Sequence, residues 1–249
     1  MKKSADATDS PPADKEALEE IESEGNTALV PAASRSMTVG KISGDVDPSD
    51  FRPPRLQIAY GVGKLAADFS QGDLVLDAEH MLVSKGESLY VIVVSARKFW
   101  KEYLEFNEAN RPRIFETKQE VHEVGGTTDW VGGKGPTFSP AMDLTLLIQK
   151  PEGVTCGLFG LMIGENESAP AFWSVDKQAY KKIGPPLLTM SQLSLAEKGL
   201  HSAIMELQTS VTVLGSKTNT LPNIKVHEHL SDEDIAEVAS LCGNLGAAV

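Results

Sequence analysis

The sequence predicts a mainly β protein with a minority of helix, in which short strands form a small β-barrel or sandwich. Three observations support this fold class. Short apolar segments alternate with turn residues through the middle of the chain. Gly157 and Gly160 interrupt one of these segments, as bulges do in the coiled strands of small barrels. Strands do not alternate with long helices, so an α/β sheet is not predicted.

The strands are predicted from apolar or β-branched segments that end at turn residues. In chain order they are Arg55–Tyr60, Asp73–Asp77, Met81–Val83, Leu89–Ala96, Met142–Gln149, Val154–Ile163, Ala171–Val175, His201–Leu214 and Asn219–Val226. The segment Leu89–Ala96 is apolar on both faces, which is typical of a central, covered strand. The connection 150–153 contains Pro151 and predicts a hairpin between its two flanking strands.

Helices are predicted where a capping residue precedes apolar residues at helical spacing. The predicted helices are Lys118–Val124, capped by Thr117, Lys177–Ile183, capped by Asp176, and Leu187–Lys198. Gly184-Pro185-Pro186 is predicted to end the second of these. Near the C-terminus, Ser231 and Asp234 have the form of a capping box and predict a short acidic amphipathic helix.

Charge divides the 249-residue chain into three parts. Residues 1–50 carry 5 basic and 11 acidic side chains and no aromatic residue, so a disordered acidic tail is expected there. Residues 51–226 carry 18 basic and 19 acidic side chains and are expected to form the folded domain. Residues 227–249 carry no basic and 5 acidic side chains and are expected to form an acidic C-terminal tail with a short helix.

The sequence also indicates in which cellular compartment the protein is expected. The N-terminus has no apolar stretch of the kind that a signal peptide needs, and the longest apolar segments are roughly half the length of a membrane-spanning helix. The two cysteines give neither a disulfide framework nor a metal-binding spacing. A cytoplasmic protein without membrane association is therefore expected.

No catalytic or cofactor motif is identified, so a non-enzymatic protein without cofactor or metal is predicted. Gly61-Val62-Gly63-Lys64 follows a strand, but Asp68 and Gly72 interrupt the helix that a dinucleotide site requires. His227 and His229 lack a third metal ligand at a known spacing. An enzyme whose catalytic groups meet only in space stays open as an alternative.

A dense cluster of cations and aromatic rings is the most suggestive feature. Single-stranded nucleic acid is bound by cations that contact phosphates and by rings on which bases stack. The segment supplies both, through Arg97, Lys98, Phe99, Trp100, Lys101 and Tyr103, with Arg111 and Arg113 following. The alternatives are that the three rings continue into the core while the cations are solvated, or that the segment is a protein interface.

Two further patches are candidate nucleic-acid contacts. Lys177, Tyr180 and Lys181 lie at helical spacing and share a face. Trp130 and Lys134 lie in a glycine-rich loop, and such loops clamp ligands in some small barrels. The alternatives are a solvated helix face and a simple connection.

The order of these features resembles that of phage-type single-stranded DNA-binding proteins with an OB fold. The resemblance covers roughly residues 53–226 and rests on Pro54-Arg55-Leu56, the Gly72-Asp73 turn, the Trp100–Tyr103 segment and the late strand Asn219–Val226. It implies an OB-like β-barrel with additions that binds single-stranded DNA without sequence preference in replication or recombination. It further implies that the acidic C-terminal tail recruits replication or recombination proteins. The sequence leaves open whether a homo-oligomer forms, and a phage-encoded protein would act in the host cytoplasm.

The chain departs from that family in two ways. Its acidic residues lie before an uncharged C-terminal ending, and it lacks the cysteine cluster that some phage relatives carry, so no structural zinc is expected. The competing hypothesis is a structural or assembly protein of a virus or mobile element, in which the aromatic cluster is a subunit interface.

Overall fold

Strands dominate the part of the chain that the computed structural model describes, residues 54–104, 111–214 and 217–246. They are β1 (Leu56–Ile58), β2 (Leu74–Leu76), β3 (His80–Val83), β4 (Leu89–Glu102), β5 (Ile114–Phe115), β6 (Phe138–Gln149), β7 (Leu161–Ile163), β8 (Asn166–Val175), β9 (Ala203–Leu214) and β10 (Lys217–His229). The α-helices are α1 (Lys118–Glu123), α2 (Lys177–Gln192) and α3 (Asp232–Gly246). The mainly β prediction is confirmed, whereas the tail predicted over 1–50 lies outside the described residues.

The described strands form one large and one small antiparallel sheet. The large sheet has the order β10-β9-β4-β6-β8-β7, with β5 paired to the end of β4, and the small sheet has the order β1-β2-β3. A parallel bridge between Arg55 and Phe172 joins β1 to β8. Beyond this bridge the two strands separate, so the described sheets are not closed into a barrel and that expectation is not met.

The main core lies on the inner face of the large sheet, which we define by Leu144, Leu146 and Ile148 of β6. These side chains alternate along the strand with residues of the outer face, as the two-residue period of a strand requires. The small sheet and α2 cover the inner face, and Ile183 and Leu187 of α2 are fully buried there.

The helix α2 continues through Pro185 and Pro186, so the predicted end of this helix at 184–186 is wrong. Ile183 and Leu187 lie one turn apart on either side of the proline pair, and both are buried in the core. The burial of these two side chains stabilises the helical path, although each interior proline removes a backbone hydrogen bond. Leu187–Lys198 is consequently not a separate helix, since α2 already includes its first half.

The acidic C-terminal segment packs on the outer face of the large sheet. The predicted cap at Ser231 is confirmed, because its hydroxyl accepts a hydrogen bond from the Asp234 N–H at 3.1 Å, while the same hydroxyl donates to the Asp234 carboxylate at 2.7 Å. Val238 of α3 is buried in a cluster with Ile92 and Leu147. The strand β10 also runs to His229, beyond the predicted domain boundary. This segment is therefore integrated into the fold.

The predicted strands Leu89–Ala96 and Val154–Ile163 differ most from the structure. The strand β4 continues for six residues beyond Ala96 and includes the aromatic and basic cluster. Of the segment Val154–Ile163, Leu161–Ile163 alone forms a strand, and it pairs with β8. The predicted hairpin is therefore wrong, because β8 pairs with β6 along its length, from Met142↔Val175 to Gln149↔Ser168. None of the described helices is long and apolar enough to cross a membrane.

Candidate nucleic-acid interface

The end of β4 buries two of its three aromatic rings. Trp100 is 7% exposed and packs with Val121 of α1, Phe138 of β6 and Phe115 of β5. Phe99, on the opposite face of the strand, is also buried. The interpretation that these rings enter the interior is correct for both, whereas Tyr103 is 57% exposed. Neither Phe99 nor Trp100 presents an open face on which a base could stack.

Three of the predicted cations at this end of the sheet are paired with carboxylates. Arg97 bonds to Glu116, and this hydrogen bond raises the pKa of the guanidinium. Arg113 donates to Glu102 through Nε at 3.0 Å and Nη2 at 2.6 Å, which lowers the pKa of that carboxyl. The Lys101 Nζ lies 2.8 Å from the Asp176 Oδ2. A polyanion that bound here would have to compete with carboxylates already in place.

The outer face of the large sheet is covered at one end and open at the other. The helix α3 covers Leu147, whereas Thr145 and Asp143, two and four residues earlier on β6, lie beyond the cluster that α3 buries. We call the uncovered part the open face. Its side chains are those of Ser95, Arg97, Lys101, Asp143, Thr145, Phe172 and Ser174, with the buried ring of Phe99 between Arg97 and Lys101 on β4. Together with Arg55, Gln57 and Ile114, part of this face lines a depression of about 320 Å³.

A cleft continues from the open face where β1 separates from β8. The Phe172 N–H donates to the Pro54 carbonyl at 2.8 Å, on the edge of β8 that faces β1. Alternate residues of a strand direct their backbone groups to the same edge, so the N–H and carbonyl of Ser174 point into the cleft. Directly after β1, the Ala59 N–H donates to the backbone carbonyl of Asp73, the residue before β2, at 2.9 Å. The backbone groups of Ile58, one residue earlier, therefore point away from the small sheet and toward the cleft. Between these two strand edges lies a volume of about 400 Å³.

A third depression, of about 610 Å³, lies at the start of α2 and is lined by Tyr60, Lys177 and Thr218 among others. It shares Tyr60 and Val62 with the cleft, and the cleft shares Gln57 and Ser174 with the depression on the open face. The three depressions therefore adjoin one another, and we call the surface that they make together the groove. The Lys177 Nζ lies 5.1 Å from the centre of the Tyr103 ring, within range of a cation–π contact.

Asp176 stands at the junction of β8 and α2, beside the groove. It occupies the N-cap position of α2, but its side chain makes no capping hydrogen bond. Its carboxylate instead accepts from Lys101. The pKa of the Tyr60 phenol is raised, first by burial and then by the nearby Asp176 carboxylate.

Neither a model of a known protein family, nor a curated protein, nor a solved structure matches this chain. The site is therefore characterised by its own geometry. Within the described ranges, His, Cys, Asp and Glu side chains form no group of three or more that could hold a metal ion. The groove presents cations, hydroxyl and amide groups, free strand edges and the partly exposed ring of Tyr60.

The structure brings together some of the predicted contact residues and separates others. Those on or beside the groove are Arg97, Phe99, Lys101, Tyr103 and Lys177. Lys98 lies on the opposite face of β4, 5.6 Å from the centre of the Trp100 ring. Tyr180 is buried in the main core, and Lys181 is exposed on α2 without lining the groove.

The remaining predicted residues lie on loops or at the chain segment that enters β5. Trp130 is 75% exposed, and the backbone of its loop is closed by a bridge between Val131 and Lys134, which is also exposed. Arg111 and Arg113 are exposed in the segment before β5.

Sequence reasoning missed much of the groove. The missed residues include Arg55, Gln57, Tyr60, Lys64, Asp143, Phe172, Ser174 and Asp176. They come from segments far apart in sequence that the bridge at Arg55 and the pairing of β6 with β8 place side by side, which no local pattern reveals. The one sequence signal is the pair of polar positions Asp143 and Thr145, which alternate with leucines on β6 and mark an uncovered outer face.

Proposed function

We propose that the protein is a non-enzymatic, sequence-tolerant single-stranded DNA-binding protein and that the groove is its binding surface. The observation that carries the proposal is that three depressions, on the open face, in the cleft between β1 and β8 and at the start of α2, adjoin one another through shared lining residues. Cations lie along the whole length of the groove, namely Arg55, Lys101, Lys64 and Lys177.

The chemistry of the groove suits a strand whose bases are unpaired. Tyr60 is 44% exposed at the point where the cleft meets the third depression, and Tyr103 lies beside Lys177. Exposed rings offer stacking faces for bases of any sequence, and neighbouring cations neutralise the phosphates between them. A duplex keeps its bases stacked inward and would leave these rings without partners.

Proteins of this kind act where DNA strands are separated, so we place the function in phage-type replication or recombination in the host cytoplasm. The exposed acidic side chains of the first turn of α3, Asp232 and Glu233, form the surface proposed for partner proteins. Homo-oligomers would align several grooves along one strand.

The test is binding of a fluorescent dT oligonucleotide at increasing salt. We expect binding at low salt that weakens with a log–log slope of roughly −0.7 for each phosphate neutralised. Absence of binding at low salt, or binding that salt leaves unchanged, would refute the proposal.

A matched pair of variants locates the surface. Lys177 lines the groove, whereas Lys181, one turn further along α2, is exposed outside it. Lys177→Gln should weaken binding and reduce the salt slope by about one phosphate equivalent, and Lys181→Gln should change neither. Equal effects of the two substitutions would mean that the strand does not lie in the groove.

The assembly hypothesis receives less support. Its interface was the aromatic cluster, of which Phe99 and Trp100 are buried within the chain. The edge strand β10 contains Pro222 and a register shift between Val226 and Glu228. Prolines and bulges on an edge strand hinder pairing with a second copy.

A further inference from the structure

The strongest feature that the proposed function leaves unexplained is the ion pair between Lys101 and Asp176. Lys101 lines the open-face end of the groove, and Asp176 lines the depression at the start of α2. The Nζ and Oδ2 atoms are 2.8 Å apart, and the two side chains are only 33% and 36% exposed. The pair therefore bridges two of the depressions that make up the groove.

We propose that Asp176 is a built-in competitor of the nucleic acid, a carboxylate that holds Lys101 until a phosphate of the bound strand replaces it. This inference rests on the proposed function and concerns the regulation of the same site. A carboxylate and a phosphate oxygen bind an ammonium group in the same way, so one can exchange for the other.

Two observations at the junction of β8 and α2 support this role. Asp176 occupies an N-cap position, where an aspartate ordinarily accepts from the helix N–H groups, yet its side chain is directed to Lys101. The next residue, Lys177, has a φ of 50°, in the left-handed region that side chains other than glycine rarely adopt. Asp176 and Lys177 thus stand at an unusual turn of the backbone and contact Lys101 and the Tyr103 ring, respectively.

The mechanism predicts an effect on affinity and on its salt dependence. When a phosphate binds the Lys101 ammonium group, the Asp176 carboxylate loses its partner and attracts a cation from solution. This uptake of one cation offsets the release of one counterion from the strand. Removing the carboxylate abolishes both the competition and this offset. Asp176→Asn should therefore bind a dT oligonucleotide roughly two- to fivefold more tightly, as expected for a partly exposed ion pair. Its salt slope should be steeper by roughly 0.7.

Two controls separate this effect from the loss of one negative charge. Asp176→Glu keeps the carboxylate and should bind like the wild type. Glu167→Gln removes a carboxylate that pairs with Lys150, an ion pair of similar exposure that lies outside the groove. It should leave affinity and slope unchanged.

The experiment measures binding of the same oligonucleotide by the wild type and the three variants from low to moderate salt. The side-chain NMR signal of Lys101, assigned with Lys101→Gln, provides a second readout. This signal should shift when the oligonucleotide is added to the wild type. In the free Asp176→Asn protein it should already differ from its wild-type position, because the ion pair is absent.

The outcomes distinguish this inference from the proposed function. Wild-type binding with no gain in Asp176→Asn, an equal gain in Glu167→Gln, or a Lys101 signal that the oligonucleotide does not move would overturn the competitor role and leave the function standing. Absence of binding by every variant at low salt would overturn both.

Discussion

Gly126 lies directly against the ring of Phe138. A β-carbon at Gly126 would approach this ring to 2.7 Å and a methyl of Val121 to 2.8 Å, and both neighbours are fully buried. Because neither side chain has room to move, Gly126→Ala should destabilise the protein by about 1–3 kcal/mol. Urea denaturation measures this free energy of unfolding.

Gly157 provides the control for this substitution. A β-carbon there would meet no atom within 4 Å, and its backbone is not in the left-handed region. Gly157→Ala should change stability by less than about 0.5 kcal/mol. If the two alanine variants were equally stable, the close packing of Gly126 against Phe138 would be wrong.

The tryptophans Trp100 and Trp130 should differ sharply in what they contribute. Trp100 is 7% exposed within its cluster, so Trp100→Ala should cost about 3–5 kcal/mol of stability. Trp130 is 75% exposed, so Trp130→Ala should cost less than about 0.5 kcal/mol. Thermal and urea unfolding of the two variants provide the measurement. A fully stable Trp100→Ala protein would contradict the burial of this ring.

The predicted and observed extents of β4 show which features of the fold the sequence can predict and which it cannot. The apolar segment Leu89–Ala96 predicts a central strand, and it is one. The continuation of β4 through Trp100 is not predicted, because exposed cations on both faces of the strand interrupt the apolar pattern. The cover that α1, β5 and β6 provide for Trp100 is tertiary, and a local pattern contains no information about it.

Long-range pairing explains the other failures. Local signals at 150–153 favoured a hairpin, but β8 offers β6 a longer partner than β7 does. The proline pair in α2 is a strong local signal that burial of Ile183 and Leu187 overrides. The groove depends on where β1 leaves β8, so the sequence identified its cations on β4 and α2 and missed the residues between them.

Glu206 should make stability depend on acid pH. Its carboxylate accepts from Ser88 at 2.6 Å and Gln208 at 2.7 Å and pairs with Lys225 at 2.9 Å. The hydrogen bond from Ser88 and then that from Lys225 lower its pKa in the folded state. The carboxylate therefore stabilises the fold fully above the usual glutamate pKa of about 4.3, and this contribution is lost as pH falls through the lower folded value.

Glu206→Gln should accordingly lower stability by about 1–3 kcal/mol at pH 7. The difference from the wild type should shrink as pH falls below about 4, since the wild-type carboxylate then takes up its proton. Denaturation at a series of pH values measures it, with the exposed Glu152→Gln as control. A constant difference across this range would show that the charge of Glu206 has no part in the network.

The tyrosines Tyr60 and Tyr180 test the position of Asp176 independently of any ligand. Burial and the Asp176 carboxylate raise the pKa of Tyr60, whereas burial alone raises that of Tyr180. Asp176→Asn should therefore lower the pKa of Tyr60 and leave that of Tyr180 unchanged, because an amide does not oppose ionisation of the phenol. NMR titration of ring-labelled tyrosine follows both in one sample. If the substitution changed the pKa values of Tyr60 and Tyr180 equally, Asp176 would not lie close to the Tyr60 phenol.

The C-terminal helix should be necessary for stability. Val238 is fully buried against Ile92 and Leu147, so Val238→Ala should cost about 2 kcal/mol of stability. The control Ala236→Ser, at an exposed position of the same helix, should cost less than about 0.5 kcal/mol.

Deleting residues 231–249 would uncover this cluster and should cause unfolding or aggregation. A deletion is consequently a poor test of whether the acidic residues compete with DNA or recruit partners. Replacing the exposed Glu233 by glutamine keeps the packing and isolates the charge. If the truncated chain unfolded at the same urea concentration as the intact chain, α3 would be an independent tail and the deletion would become informative.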